Sequence, residues 1–454
     1  MRLKKKYKIL LAIILIFIII TIVLAITLKK KDYKENDNLF TETLKENEEN
    51  TIEGLIIYET SENSYLCDKQ EIIYTLPKLE YNVNDYVKIS YDTKIDKNKT
   101  KQDITIKNIE KIEKNLQLDS LNQAYYIKAK DLADKMTLEE IVGQLYMVHY
   151  NANSKEGIKK YHLGGLVLFG DAFKNKTKDE VIAMTNALQE QATIPLFLAV
   201  DEEGGTVIRI SSNKNLSDKA FLSPRTLYKQ GGFELIRSDN IKKNELLKEL
   251  GLNINLAPVL DISNDKNDYI YSRSIGLSPK LTGEFAINII ESSKDSGIEN
   301  VLKHYPGYGK NKDTHKSSSI DTRTIEEVEE DLIPFKMAID KWASAIMISH
   351  NTVIAIDEDS PASISINNHN YLRNALNFKG MIITDALNMG ATADIKDMGI
   401  KSILAGNNIL ITKNFARDIE EIIGTVNNGV LSEYYLKELA IKVIAWKMQM
   451  GLVK

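Results

Sequence analysis

At 454 residues the chain is too long for one average domain and short for three, so one large catalytic-sized domain plus something smaller is expected. Hydrophobic residues (43%) and charged residues (27%) are those of a protein with a real core, which excludes disorder of the whole chain. The net charge of −4, with lysines interspersed among acids, excludes a nucleic-acid-binding face, and the single cysteine, Cys67, excludes an internal disulfide.

In chain order, a basic tail (residues 1–8, with Arg2, Lys4, Lys5, Lys6 and Lys8) precedes an unbroken apolar run from Ile9 to Leu28. Twenty residues at 1.5 Å rise reach across a hydrocarbon core of ~30 Å. Lys29, Lys30 and Lys31 follow directly, with no small-x-small cleavage site, which favours an uncleaved transmembrane signal anchor over a secretory peptide. Acids dilute the second lysine cluster, so the tail is placed in the cytoplasm and the body of the protein outside the cell membrane. Residues 29–50 are polar, acid-rich and aperiodic, the texture of a flexible linker.

Residues 51–115 change texture. TIEGLIIY, EIIYTL, DYVKISYD and DITIKNIEKIE are β-rich pieces separated by turn clusters such as ETSENS. Period-2 alternation predicts a small all-β domain, an antiparallel barrel or sandwich. It carries no evident chemistry, and a spacer holding the next domain off the membrane is the plainest role.

From residue 119 to 454, helical stretches alternate with eight short apolar runs: QLYMV, GLVLF, LFLAV, INLAP, NVLKH, AIMIS, GMIIT and NILIT. Continuous hydrophobicity marks parallel strands buried on both faces by crossover helices. Eight such units predict an α/β fold of the (β/α)8 TIM-barrel type. The rival doubly wound sheet lacks its GxGxxG or GxxxxGK[ST] fingerprint.

A barrel carries its reactive residues at the C-terminal ends of its strands, and the unusual polar clusters fall there. DEEGGTVIR follows the third run and contains Asp201 and Arg209; YSRSIG with Arg273 follows the fourth; Lys303 and His304 end the fifth; His350 ends the sixth; Asp385 ends the seventh. Asp385 follows a strand too apolar to tolerate an unpaired carboxylate, so it belongs at the mouth, either as a helix N-cap or as a nucleophile for an anomeric carbon. His315 lies in a polar loop with Asp313 two residues before it. It is either simply solvated or an imidazole oriented by a carboxylate for proton transfer near neutrality. Lys303, His304, Asp201, Arg209 and Arg273 are either satisfied core-edge residues or charged partners for several sugar hydroxyls. The histidines are scattered over different strands without metal-ligand spacing, so no metal and no cofactor is expected.

The collinear set DEEGGTVIR, APVLDI, SRSIG, KHYPGYG…DTH, MISH, PASIS and ITDALNMGA resembles the family 3 glycoside hydrolases, in the β-N-acetylglucosaminidase branch, from about residue 131 to 454. The resemblance implies a retaining exo-β-N-acetylglucosaminidase on a (β/α)8 barrel, acting on terminal β-linked N-acetylglucosamine of a glycan or muropeptide from peptidoglycan. It implies that Asp385 is the nucleophile and that His315 with Asp313 forms the acid/base dyad. Asp201, Arg209, Arg273, Lys303 and His304 then correspond to ligands of the sugar hydroxyls. Thr206, Tyr308 and Ala386 depart from the commonest family residues at their positions, and the second α/β domain of some members is not expected here. Two other readings stay open: a phosphorylase, and a catalytically silent glycan-binding protein.

Overall fold

The computed structural model describes residues 50–91, 106–114, 116–309, 314 and 318–454. The tail, the Ile9–Leu28 run and nearly all of the linker lie outside the described residues, as do Asp313 and His315. No helix among the described residues is long and apolar enough to cross a membrane.

The first described unit is a five-stranded antiparallel sheet. Its strands are β1 (Thr51–Glu59), β2 (Asn63–Cys67), β3 (Ile73–Pro77), β4 (Tyr86–Tyr91) and β5 (Ile106–Lys111), in the order β3-β2-β1-β4-β5. Among the described residues no pairing joins β3 to β5, so the sheet is open, where a barrel or sandwich was expected.

Both faces of this sheet are apolar, which explains its placement. Ile52, Ile56, Leu66, Val87 and Ile89 form a small core of their own. Leu55, Ile57, Cys67, Ile73 and Tyr86 belong instead to the barrel's core. Polar latches complete the joint: the Ser432 amide donates to the Ile57 carbonyl at 2.8 Å, and the Asn370 side chain exchanges two hydrogen bonds with the Ile73 backbone at 3.0 and 2.9 Å.

At the centre of the joint, the Glu71 carboxylate contacts both Arg373 and Lys442, all three being 2% exposed. Arg373 also donates to the Phe378 and Gly380 carbonyls and to Asn408 Oδ1, so the joint extends to the loops entering two barrel strands. Burial, then the neighbouring Arg373, pushes the Lys442 ammonium down to about 8. The sheet is therefore built into the barrel wall. Glu71→Ala leaves two buried cations without their anion and is expected to destabilise the protein by about 3–5 kcal/mol, read as a lower urea midpoint. An unchanged midpoint would show that the joint carries no stability.

The larger unit is the barrel. Its strands are β6 (Tyr146–His149), β7 (Gly165–Leu168), β8 (Phe197–Val200), β9 (Ile254–Asn255), β10 (Glu299–Tyr305), β12 (Ala345–Ile348), β14 (Met381–Thr384) and β15 (Leu410–Thr412). All are parallel, in the ring order β14-β12-β10-β9-β8-β7-β6-β15, and a parallel bridge from Ile383 to Ile409 closes the circle. Each strand coincides with one of the eight apolar runs. Six of them, β7, β8, β9, β12, β14 and β15, are buried at every residue, as double-sided packing requires.

Crossover helices begin where local sequence dictates. Thr177 with Glu180 and Thr324 with Glu327 form capping boxes, and Ser223-Pro224 and Ser278-Pro279 place a hydroxyl cap before a proline at the first turn. Two further short strands, β11 (Ser319–Asp321) and β13 (Asn351–Val353), pair in parallel beside the barrel mouth.

Candidate active site

The C-terminal ends of the strands surround a cavity of 290 Å³. Asp201, Arg209, Arg273, Lys303, His304 and Asp385 all line it. Candidate residues from four separate stretches of sequence are thus brought together; only Asp313 and His315 fall outside the described residues.

Beneath the cavity lies a buried charge cluster. Lys303 Nζ is 2.7 Å from Asp201 Oδ1 and 2.7 Å from Glu203 Oε1. Arg273 grips Glu203 with two donors, Nη2 at 2.7 Å and Nε at 2.9 Å. Burial alone would raise the Glu203 carboxyl, but the Arg273 and Lys303 cations outweigh it and hold the group well below the usual carboxylate range. Burial likewise opposes the Lys303 charge, and Asp201 and Glu203 more than compensate, so its pKa is raised.

His304 adds an inner support. Its Nδ1 lies 2.7 Å from Asp261 Oδ2, and Arg273 Nη2 lies 3.2 Å from its Nε2. Arginine can only donate, so Nε2 accepts and Nδ1 carries the proton given to Asp261. Both ring nitrogens are thereby engaged, and His304 orients Arg273 in the absence of a ligand. Asp261 also accepts from the Tyr308 amide at 2.7 Å, fixing the start of the loop that leads to Asp313 and His315. On that loop, Thr314 is buried, bonds to the Tyr308 hydroxyl, and accepts from the Ala391 amide at 3.1 Å.

The loop carrying Arg209 is folded around a second buried acid. The Glu202 carboxylate accepts from the amides of Arg209 (2.7 Å), Ile210 (2.8 Å) and Ser211 (3.3 Å) and from the Ser211 hydroxyl (2.5 Å). Gly204 turns the chain with φ +99°, where a Cβ would lie 2.2 Å from the Leu222 carbonyl oxygen, so only glycine fits. Arg209 ends 3.9 Å from Asp201, its guanidinium over the Phe169 ring at 5.7 Å.

Asp385 does not cap a helix; the next one begins at Met398. Its Oδ1 accepts from the Ala386 amide at 2.7 Å, and the Ala386 carbonyl lies 3.0 Å from His350 Nε2. A carbonyl only accepts, so His350 donates there and accepts from Ser363 at 2.7 Å through Nδ1. His350 is thus a scaffold for the turn that carries Asp385.

Glu202, Glu203 and Asp261 lie inside the motifs read from sequence but were not singled out. His149, which also lines the cavity, falls outside those motifs, at the end of the first apolar run. Among the described residues no group of three or more His, Cys, Asp or Glu side chains is arranged to hold a metal ion.

A family model, the glycosyl hydrolase family 3 N-terminal domain, matches residues 137–445. The chain belongs to glycoside hydrolase family 3. Among its relatives in that family, β-hexosaminidase A of Pseudoalteromonas piscicida is 31% identical over 284 residues, covering 56% of this chain and 46% of that protein. β-Hexosaminidase LpqI of Mycobacterium tuberculosis is 25% identical over 332 residues, covering 69% and 82%. A family 3 β-N-acetylglucosaminidase from Paenibacillus sp. FPU-7 superposes with a TM-score of 0.65 at 25% identity, over 70% of this chain and 63% of that one. The chain thus spans about half of the Pseudoalteromonas enzyme and nearly two thirds of the Paenibacillus one. The family 3 barrel includes every cavity residue named above.

Proposed function

We propose that this family 3 protein is a retaining exo-β-N-acetylglucosaminidase that releases terminal β-linked N-acetylglucosamine, with peptidoglycan fragments as its substrate class. The observation that carries the reading is the convergence of a strand-end carboxylate, Asp385, with the Asp201–Lys303–Glu203–Arg273 cluster around one small cavity. The volume lies at the lower end of the ~300–1,000 Å³ range of ligand pockets, which suits one sugar ring held at a chain end. The names of the relatives, β-hexosaminidase and β-N-acetylglucosaminidase, agree with it.

In this mechanism Asp385 attacks the anomeric carbon and forms a covalent ester as the glycosidic C–O bond breaks. His315, held by Asp313, gives its proton to the departing oxygen. The neutral imidazole then takes a proton from water, whose oxygen displaces Asp385. Asp201, Arg209, Arg273 and Lys303 hold the hydroxyls, with His304 behind Arg273.

The test is release of p-nitrophenol from p-nitrophenyl β-N-acetylglucosaminide by the whole chain, beside His315→Ala. Loss of a general acid/base should lower turnover by about 10²–10⁴-fold. Binding of the sugar without turnover by the wild type would favour a silent glycan-binding protein, and sugar 1-phosphate formed in phosphate buffer would favour a phosphorylase. We place the barrel outside the cell, tethered by the Ile9–Leu28 run; failure of an external protease to reach it in intact cells would remove the wall-fragment assignment alone.

A further inference from the structure

His149 ends β6 and lines the cavity, yet its Nε2 is buried with no hydrogen-bond partner among the described residues. Buried polar atoms are nearly always paired, so an orphan in the wall of a binding cavity points to a ligand atom. The ring is fixed rather than loose: it packs against Phe169 with centroids 4.7 Å apart. Burial, and then Lys413, push its pKa down to about 4, so the imidazole is neutral near pH 7 and Nε2 either donates or accepts one hydrogen bond, according to the tautomer.

The ring order of the strands says which part of a sugar meets it. β8, bearing Asp201, lies four strands from β14, bearing Asp385; β6 lies four strands from β10, which bears Lys303 and His304. The proposed function puts the anomeric carbon at Asp385, so the far end of the ring points to Asp201 and its two flanks face β10 and β6. The β10 side carries the charge cluster, which matches vicinal polar substituents. The β6 side offers Val167, Phe169 and Ile411 with the His149 nitrogen and, just past β15, Lys413, which matches a methylene carrying one hydroxyl.

We propose that His149 is a further substrate-binding residue, which holds the C6 hydroxymethyl group of the terminal sugar through Nε2 while Phe169 packs on its methylene. The inference rests on the proposed glycosidase reading. Its test compares p-nitrophenyl β-N-acetylglucosaminide with the 6-deoxy analogue, using the full-length wild type, His149→Phe and His149→Gln.

The wild type should lose about 10-fold to 100-fold in kcat/KM on the 6-deoxy sugar, where Nε2 stays unpaired. His149→Phe keeps the ring packing and should lose a similar factor on the parent sugar but at most about 2-fold more on the analogue, the two losses being one interaction counted twice. His149→Gln, which can still bond a hydroxyl, should retain part of the preference. If His149→Phe does not fold, the wild-type comparison and the Gln variant still decide. A wild type that treats the two sugars alike, or a variant that loses equally on both, overturns the assignment and leaves the glycosidase reading intact. No turnover of either sugar by the wild type overturns that reading, and this inference with it.

Discussion

Asp385→Ala is expected to abolish turnover of an N-acetylglucosaminide, by about 10⁴–10⁶-fold, as removal of a covalent nucleophile does in other hydrolases. The expectation rests on geometry. Asp385 leaves β14 at the barrel mouth, lines the cavity, and sits on a turn whose carbonyl is held by His350. A carboxylate so placed has one chemical use that an alanine cannot replace, formation of the glycosyl ester. Azide supplied to Asp385→Ala should restore turnover and yield the α-glycosyl azide, because the small anion enters where the carboxylate stood. Residual activity within about 10-fold of the wild type would sink the role, and a β-azide would place the missing group on the other face of the sugar. Folding is not at issue, since the side chain is only half-buried at the barrel mouth.

How much of this was legible in the sequence depends on the range of the interaction involved. The eight barrel strands were readable because burial on both faces writes itself as an uninterrupted apolar run, as in Met381–Thr384. Strand β2, Asn63–Cys67, was missed because it begins inside a turn-like cluster and alternates polar with apolar over only five residues. The docking of the small sheet depends on Glu71 meeting Arg373 and Lys442, partners some 300 and 371 residues away. No local pattern announces such a contact. The site behaved in the same way. Charged residues at strand ends could be named, whereas Glu203 looked like one acid among several until Arg273, 70 residues on, was seen to grip it. His304 is expected to touch sugar and does line the cavity; that its two ring nitrogens also meet Asp261 and Arg273 is a fact of packing alone. His149 follows the first apolar run as His350 follows the sixth, so its place at the rim is local information, whereas its buried, unpaired nitrogen is a fact of packing.

Glu203→Gln is the second large effect expected, and it separates stability from binding. Glu203 has a side-chain exposure of 3%, Lys303 of 2% and Arg273 of 11%, so this is a desolvated ion cluster rather than a surface pair. Removing the carboxylate charge leaves Arg273 without its anion and Lys303 with Asp201 alone, and breaking a buried pair from one side costs about 3–5 kcal/mol. The urea midpoint should fall accordingly. Sugar binding should weaken too, because Arg273 and Lys303 are then free to move, and a displacement of about 1 Å at a positioning residue costs about 10²-fold in kcat/KM. Asp201→Asn should give the opposite balance: a rise in KM with little change in the midpoint, since Asp201 is partly exposed and Glu203 still holds Lys303. The pH dependence has a definite sign. Glu203 has a folded pKa depressed below its unfolded value of ~4.3, so its contribution is complete above that value and fades as pH falls through it toward the folded pKa. The raised pKa of Lys303 gives a contribution complete below ~10.4 and lost as pH rises through the folded value. The wild type should therefore gain stability over Glu203→Gln on a plateau from about pH 5 to 10, narrowing below it. A difference that grew as pH fell below 5 would mean that Glu203 is protonated in the fold and that the cluster is held by something other than its charge.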